Sequence, residues 1–272
     1  MALSILPELP KYLFKYITWE KDYHKNLIIE NEFFFSSAEK FNDPFDSSVP
    51  LRYDLGTEEQ ILERYKAHTS QLHPQLTPSE VERVARNEMR INNIKDPQNV
   101  ERLLQKNRQW IIEKYGIFSA TSDNKNILMW SHYANSHKGI CIRINIDLFL
   151  NFIKYDCAKR GILIVWDKIE YQTDYPLLLP FELSDIDFVL KTLLIKSHHW
   201  EYEKEYRFIL LDKPNTIIKV PPRIIDQIIL GCNISKRDKK ELSEISKSKK
   251  IELLKAKIKR NSFGLNLLKI NV

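Results

Sequence analysis

The sequence predicts an α+β fold with a mixed, mainly antiparallel β core and a helical insertion, the whole chain of 272 residues forming one domain. Three observations carry this. Short alternating segments group toward both ends of the chain. A stretch at about 57–115 almost lacks β-branched runs and repeats its apolar residues at helical spacing. Between Lys196 and Leu211, KSHHWEYEKEYRFILL alternates aromatic with charged residues. As one strand it would carry Trp200, Tyr202, Tyr206 and Phe208 on one face and Glu201, Glu203, Glu205 and Arg207 on the other.

The chain opens with an aromatic strand at Tyr12–Ile17 and a second apolar run at Glu32–Ser36; His24–Ile29 between them fits a short helix or a strand. Phe41-Asn-Asp-Pro-Phe-Asp46 signals a turn, either capping its own backbone or offering Asn42, Asp43 and Asp46 to a ligand or metal. In the insertion, Thr77-Pro-Ser-Glu80 forms a cap, an N1 proline and a capping-box glutamate. Asp96-Pro97 repeats the signal, and Gly116 is expected to end the third helix. Strands return at Phe118–Asp123 and at Ile140–Ile146, on either side of a short helix from Asn126 to Asn135. Asp147 caps a helix Leu148–Tyr155, strands follow at Ile162–Val165 and Lys168–Tyr171, and a helix runs from Asp185 to Leu194. Arg223–Leu230, a basic helix from Ser235 to about Lys247, and strands at Ile251–Lys259 and Leu265–Ile270 complete the chain.

Composition excludes several classes. No apolar run approaches the roughly 18 residues of a membrane span, and the first residues lack a basic region and cleavage site, so a cytoplasmic protein without membrane partners is expected. Cys141, Cys157 and Cys232 are odd in number and far apart, which suits core residues better than a disulfide framework or zinc site. With no HExxH and no Cys/His pair, metal dependence is not expected. No Gly-x-Ser-x-Gly elbow supports a serine hydrolase, and none of the six glycines forms a Walker loop or dinucleotide fingerprint. Lys213–Val272 holds fifteen basic against five acidic residues, near +10, while the rest is near −4. That end either meets nucleic acid or another polyanion, or serves as a solubilising surface.

The acids at Glu203 and Glu205 also admit two readings. They face water with Arg207 as counter-charge, or they point into a cleft where neighbouring carboxylates divide positioning and charge stabilisation. His132, in WSHY, is a structural residue or an acid or base titrating near neutrality.

The ordered motifs FKY, FNDPFD, FSATS, LMWSHYA, HKGICI, WEYEKEYR and IILG resemble the bacterial domain-of-unknown-function family 2971 across nearly the whole chain except 57–115. A second resemblance is to the ADP-ribosyltransferase fold, with a basic residue on an early strand, a Ser-Thr-Ser-like middle strand and a late Glu-x-Glu. On that pattern Lys15 takes the first position, Ser119, Thr121 and Ser122 the second, and Glu203 with Glu205 the third. Lys15 departs from the usual Arg or His and cannot form a bidentate fork; FSATS only approximates Ser-Thr-Ser.

This resemblance implies an NAD-dependent ADP-ribosyltransferase or NAD glycohydrolase, with NAD as substrate and a nucleic acid or protein as acceptor. By analogy, it also implies a role as toxin or antiviral effector. Nicotinamide departure passes through an oxocarbenium-like state, so Glu205 would stabilise the developing charge and Glu203 would orient the nucleophile. Lys15 would meet the diphosphate and Ser119 the ribose or the glutamate. Tyr16, Trp130 or Tyr133 would stack on nicotinamide, and Arg207 would hold a glutamate or a phosphate. The competing expectations are a noncatalytic binding module using Lys236, Arg237, Lys239 and Lys240, and a metal-dependent nuclease using Asp43, Asp46, Glu203 and Glu205.

Overall fold

The computed structural model describes residues 9–181 and 184–270. In chain order these form β1 (Tyr12–Ile17), α1 (Asp22–Ile29), β2 (Glu32–Phe35), α2 (Glu58–Leu72), α3 (Pro78–Ile91), α4 (Pro97–Lys114), β3 (Tyr115–Thr121), α5 (Ile127–Tyr133) and β4 (Ile140–Asn145). They continue as α6 (Ile146–Asn151), β5 (Ile164–Lys168), β6 (Glu170–Gln172), α7 (Asp185–Leu193), β7 (Ile195–Ser197), β8 (Glu205–Leu211), β9 (Thr216–Lys219), β10 (Ile225–Leu230), α8 (Lys236–Lys249), β11 (Glu252–Ile258) and β12 (Leu265–Lys269). The class is α+β, with a large, mainly antiparallel sheet. Among the described residues no helix is long and apolar enough to cross a membrane.

The chain divides into two compact units. The second comprises Phe41–Ile112 and Gln172–Ser197; the first holds the rest. In the second unit, Thr57 and Thr77 each close a capping box, with Gln60 and Glu80 respectively. Asp96 accepts from the backbone N–H groups of Gln98 and Asn99 at the start of α4. Its core gathers Val49, Leu51, Tyr53, Ile61, Ile94 and Leu178. The Phe41–Asp46 turn caps itself, since Asp43 Oδ1 accepts from Phe45 N at 2.9 Å. Buried Asp46 accepts from Ser47 Oγ at 3.0 Å and pairs with buried Lys196 at 3.5 Å.

The first unit is built on an eight-stranded sheet in the order β12-β11-β10-β4-β1-β3-β8-β5. Only the β10–β11 pair is parallel, and α8 makes its crossover. Alternation along each strand separates two faces. On the first, Leu13, Ile17, Phe118, Ile140, Ile142, Ile144, Phe208, Leu210 and Ile228 pack with α1 and α6 residues such as Ile28 and Phe149. On the second, Tyr16, Cys141, Ile229 and Ala256 pack with Met129, Trp130 and Ala134 from α5 and its C-terminus. Burying this apolar surface, at about 25 cal/mol per Å², is the main force holding the sheet.

Several local expectations are corrected. Gly116 does not terminate a helix: α4 stops at Lys114 and Gly116 lies inside β3. There a Cβ would stand 3.0 Å from the Lys213 carbonyl oxygen and from Phe35, so the position is reserved for close strand packing. Asn145, not Asp147, caps α6 by accepting from Leu148 N, and the helix loosens into a π-helical turn over Phe152–Cys157. β9, not anticipated from the sequence, pairs antiparallel with β2.

The largest correction concerns Lys196–Leu211, which is not one strand. β7 ends at Ser197, His198–Glu203 form a 3₁₀ turn, and Lys204 turns the chain with φ of 46° before β8 begins. Lys204 N donates to Glu201 O, an i to i+3 bond that the alternating pattern does not reveal. The two-sided segregation therefore holds only within β8. Tyr206 and Phe208 face the first core, whereas Tyr202 packs against the second.

Candidate active site

On β8, Glu205 and Arg207 point to the second face, opposite Phe208 and Leu210. Register carries the polar strip sideways: Glu205 lies beside Thr121 and Arg207 beside Ser119 on β3, while Asp167 of β5 flanks Arg207 from the other side. Cross-strand partners share a face, so five neighbouring strand positions bring hydroxyl, carboxylate and guanidinium groups together. The Arg207 fork grips Glu205 through Nε to Oε1 at 2.8 Å and an Nη2 contact to Oε2 at 3.3 Å. Arg207 is 1% and Glu205 6% exposed, making this a buried bidentate pair.

Glu203 is 3% exposed and arrives from the 3₁₀ turn rather than from the strand. Tyr133 at the end of α5 donates its hydroxyl hydrogen bond to Glu203 Oε1 at 2.5 Å. Asn126 fixes this geometry: its Oδ1 caps α5 through Leu128 N and Met129 N, and its Nδ2 donates to Tyr202 O at 2.9 Å. The turn is fastened again where Ser122 N donates to Lys204 O and Lys204 Nζ pairs with Asp123 at 3.2 Å. Tyr171 joins the cluster by accepting from Glu205 N at 2.8 Å, and burial holds its phenol well above the ordinary range. Sequence reasoning missed Tyr171 and Asp167. Both ended or flanked predicted strands, and only the β5–β8 register and the chain's return past Glu205 reveal their place.

The remaining expected site residues separate. Lys15 stands on the first face, between Leu13 and Ile17 and in register with core residue Ile142, whereas the acids stand on the second. Its Nζ donates to the Ser119 carbonyl at 2.7 Å and lies 4.4 Å from the Phe118 ring centroid. Burial lowers its pKa to about 8, against the opposing pull of Glu205. Lys15 is thus a sheet residue that reaches its neighbour's backbone, and it does not share a hollow with the glutamates.

Tyr16 and Trp130 lie on the acids' face but inside the second core, edge to face at 5.1 Å. Their polar atoms bond to the carbonyls of Asp123 and Asn124. Thr121 is buried, its Oγ1 accepting from Asp123 N, while Ser119 and Ser122 are half-buried. His132 is exposed, its ring 6.3 Å from Tyr202 and 6.5 Å from Tyr133.

Two recognised motifs have a purely structural meaning. Asn135, Ser136 and His137 all carry positive φ, which turns the chain sharply after α5. Gly139 and Gly231 then meet through a backbone hydrogen bond, and a Cβ on Gly231 would fall 2.0 Å from His137 O. Two clefts lie away from the acids, one of about 490 Å³ beside Tyr155 and Pro222 and one of about 280 Å³ beside Lys138 and Ser235. Among the described residues no group of three or more His, Cys, Asp or Glu is arranged to hold a metal ion. Asp43 and Asp46 belong to the second unit, and Glu203 and Glu205 to the first.

No curated protein and no solved structure matches the chain. Residues 129–208, from Met129 of α5 to Phe208 of β8, match the model of a family described as a protein of unknown function (DUF2971), and this span takes in Tyr133, Tyr171, Glu203, Glu205 and Arg207.

Proposed function

We propose that the Glu203–Glu205 cluster is a glycosyl-transfer centre acting on NAD, releasing nicotinamide and passing ADP-ribose to an acceptor or to water. The observation that carries this reading is the pair of buried acids Glu203 and Glu205, with the hydroxyl residues Thr121 and Ser119 on the neighbouring strand. Glu205 is held by a bidentate guanidinium, and Glu203 accepts from the Tyr133 hydroxyl.

A carboxylate fixed by its neighbours suits electrostatic stabilisation of an oxocarbenium-like ribose, because it needs no reorganisation as charge develops. That role falls to Glu205. Glu203 accepts from the Tyr133 hydroxyl, and a ribose or acceptor hydroxyl can replace that donor at its oxygen. Thr121 and Ser119 flank the acids on the same face and are placed for ribose hydroxyls. Lys15, Tyr16 and Trp130 have no part in this site; diphosphate recognition falls to other groups.

Purified protein incubated with NAD should release nicotinamide, and Glu205→Gln should lower the rate about a hundredfold or more while melting stays cooperative. No release by the wild-type protein, or equal release by the variant, overturns the proposal.

A further inference from the structure

The hairpin joining β11 and β12 lies at the open edge of the sheet, because β12 is its terminal strand. Its tip closes with Lys259 N donating to Gly264 O at 3.0 Å, and Gly264 adopts φ of 153°. From Glu252 to Lys269 it carries five basic residues and one acid. That acid, Glu252, is already engaged by Gln227, Lys269 and Arg143. Among the described residues Lys255, Lys257, Lys259 and Arg260 form no ion pair, and the last three are exposed. Between them and Gly264, Phe263 stands 101% exposed.

An aromatic ring fully exposed beside cations without ion-pair partners combines the two features by which proteins hold single-stranded nucleic acid, a stacking platform and backbone-directed positive charge. Lys255 and Lys257 share one face of β11, at a step of roughly 6.8 Å. That interval is comparable to successive phosphates along an extended nucleic-acid backbone. The ring sits between polar Asn261 and Ser262 and Gly264. It is therefore suited to stacking on one unpaired base, while Ile258 and Leu268, exposed on the same hairpin, make a lipid surface the alternative that the vesicle measurement below tests.

We propose that the β11–β12 hairpin is a contact site for single-stranded nucleic acid, with Phe263 stacking on a base and Lys257, Lys259 and Arg260 meeting phosphates. This is independent of the chemistry at Glu205. It also places polyanion binding on the hairpin rather than on Lys236, Arg237, Lys239 and Lys240 of α8.

The test uses the full chain and fluorescently labelled single-stranded DNA and RNA of about 16 nucleotides, read by anisotropy across a salt series. Binding of either is expected, about tenfold weaker for Phe263→Ala on single strands. The same substitution should leave the weaker binding of a duplex of that sequence unchanged. Replacing Lys257, Lys259 and Arg260 by Gln should reduce the slope of log affinity against log salt by about 2. All three positions and Phe263 are exposed, so melting should be unaltered. Absence of binding, Phe263→Ala behaving as wild type on single strands, or loss only on neutralising the α8 cations overturns the proposal. So does binding confined to phosphatidylserine vesicles.

Discussion

The two faces of the eight-stranded sheet draw on the same strands one residue out of step, and they differ in what they bury. On the first, Leu13, Phe118, Phe208 and Leu210 make a continuous apolar layer into which the buried ammonium of Lys15 intrudes. On the second, the same strands contribute Ser119, Thr121, Glu205 and Arg207, and the apolar packing retreats to the far side around Trp130 and Ile229. A buried ion pair returns little net stability, because desolvation consumes most of its Coulomb energy. The first face carries the larger apolar layer, and the second sets a buried charged cluster beside a smaller apolar core.

The sharpest way to break this contrast is to cut into each face. Phe208 is fully buried against Phe118, Phe149 and Trp166, so Phe208→Ala should cost roughly 3–5 kcal/mol in urea unfolding. Arg207→Met removes one partner of a buried pair and should cost about 3 kcal/mol, most of it recovered in the double variant Glu205→Gln/Arg207→Met. Failure of the second change to rescue the first would mean that Arg207 stabilises the fold through groups other than Glu205.

A pH-dependent effect isolates the buried charge of Lys15 on the first face. Folded Lys15 titrates near 8 instead of 10.5, so the folded protein binds fewer protons than the unfolded chain between those values. Stability should rise as pH climbs from about 8 to 10.5, by on the order of 3 kcal/mol, and Lys15→Met should remove that rise relative to wild type. His24 behaves in the same sense at acid pH. Burial and then the Lys15 charge hold its pKa near 4, so its contribution is present above 6.5 and is lost as pH falls toward 4. The smallest change expected is Asn126→Ala, about 1 kcal/mol from the lost cap, accompanied by weaker activity because the Glu203 turn loses its tether.

The helices at 57–115 were legible through their apolar spacing and because Thr77 and Asp96 mark their own starts through local bonds, whereas the capping box at Thr57 was not read from the sequence. β4 was legible through strict alternation, β1 as a short aromatic strand and β3 as a strand running into a polar turn. The placement of Glu203 was not: HHWEYE alternates as a strand would, yet the helical turn and the positive φ of Lys204 depend on contacts with Ser122, Asp123 and Asn126, distant in sequence. Lys15 was misplaced for a different reason. Its motif position matched a fold resemblance, but its pleat position relative to β3 follows from the single register pair Phe14–Thr121, which leaves Lys15 on the opposite side. Tyr171 enters the site only through the Glu205 backbone N–H, a contact without a motif.

The most direct measurement of the central claim is nicotinamide release from NAD by Glu205→Gln and Lys15→Met side by side, each checked for cooperative melting. If the chemistry belongs to the second face, the first variant loses turnover and the second keeps the wild-type rate. Loss of turnover in Lys15→Met, or its survival in Glu205→Gln, would contradict the assignment of chemistry to that face.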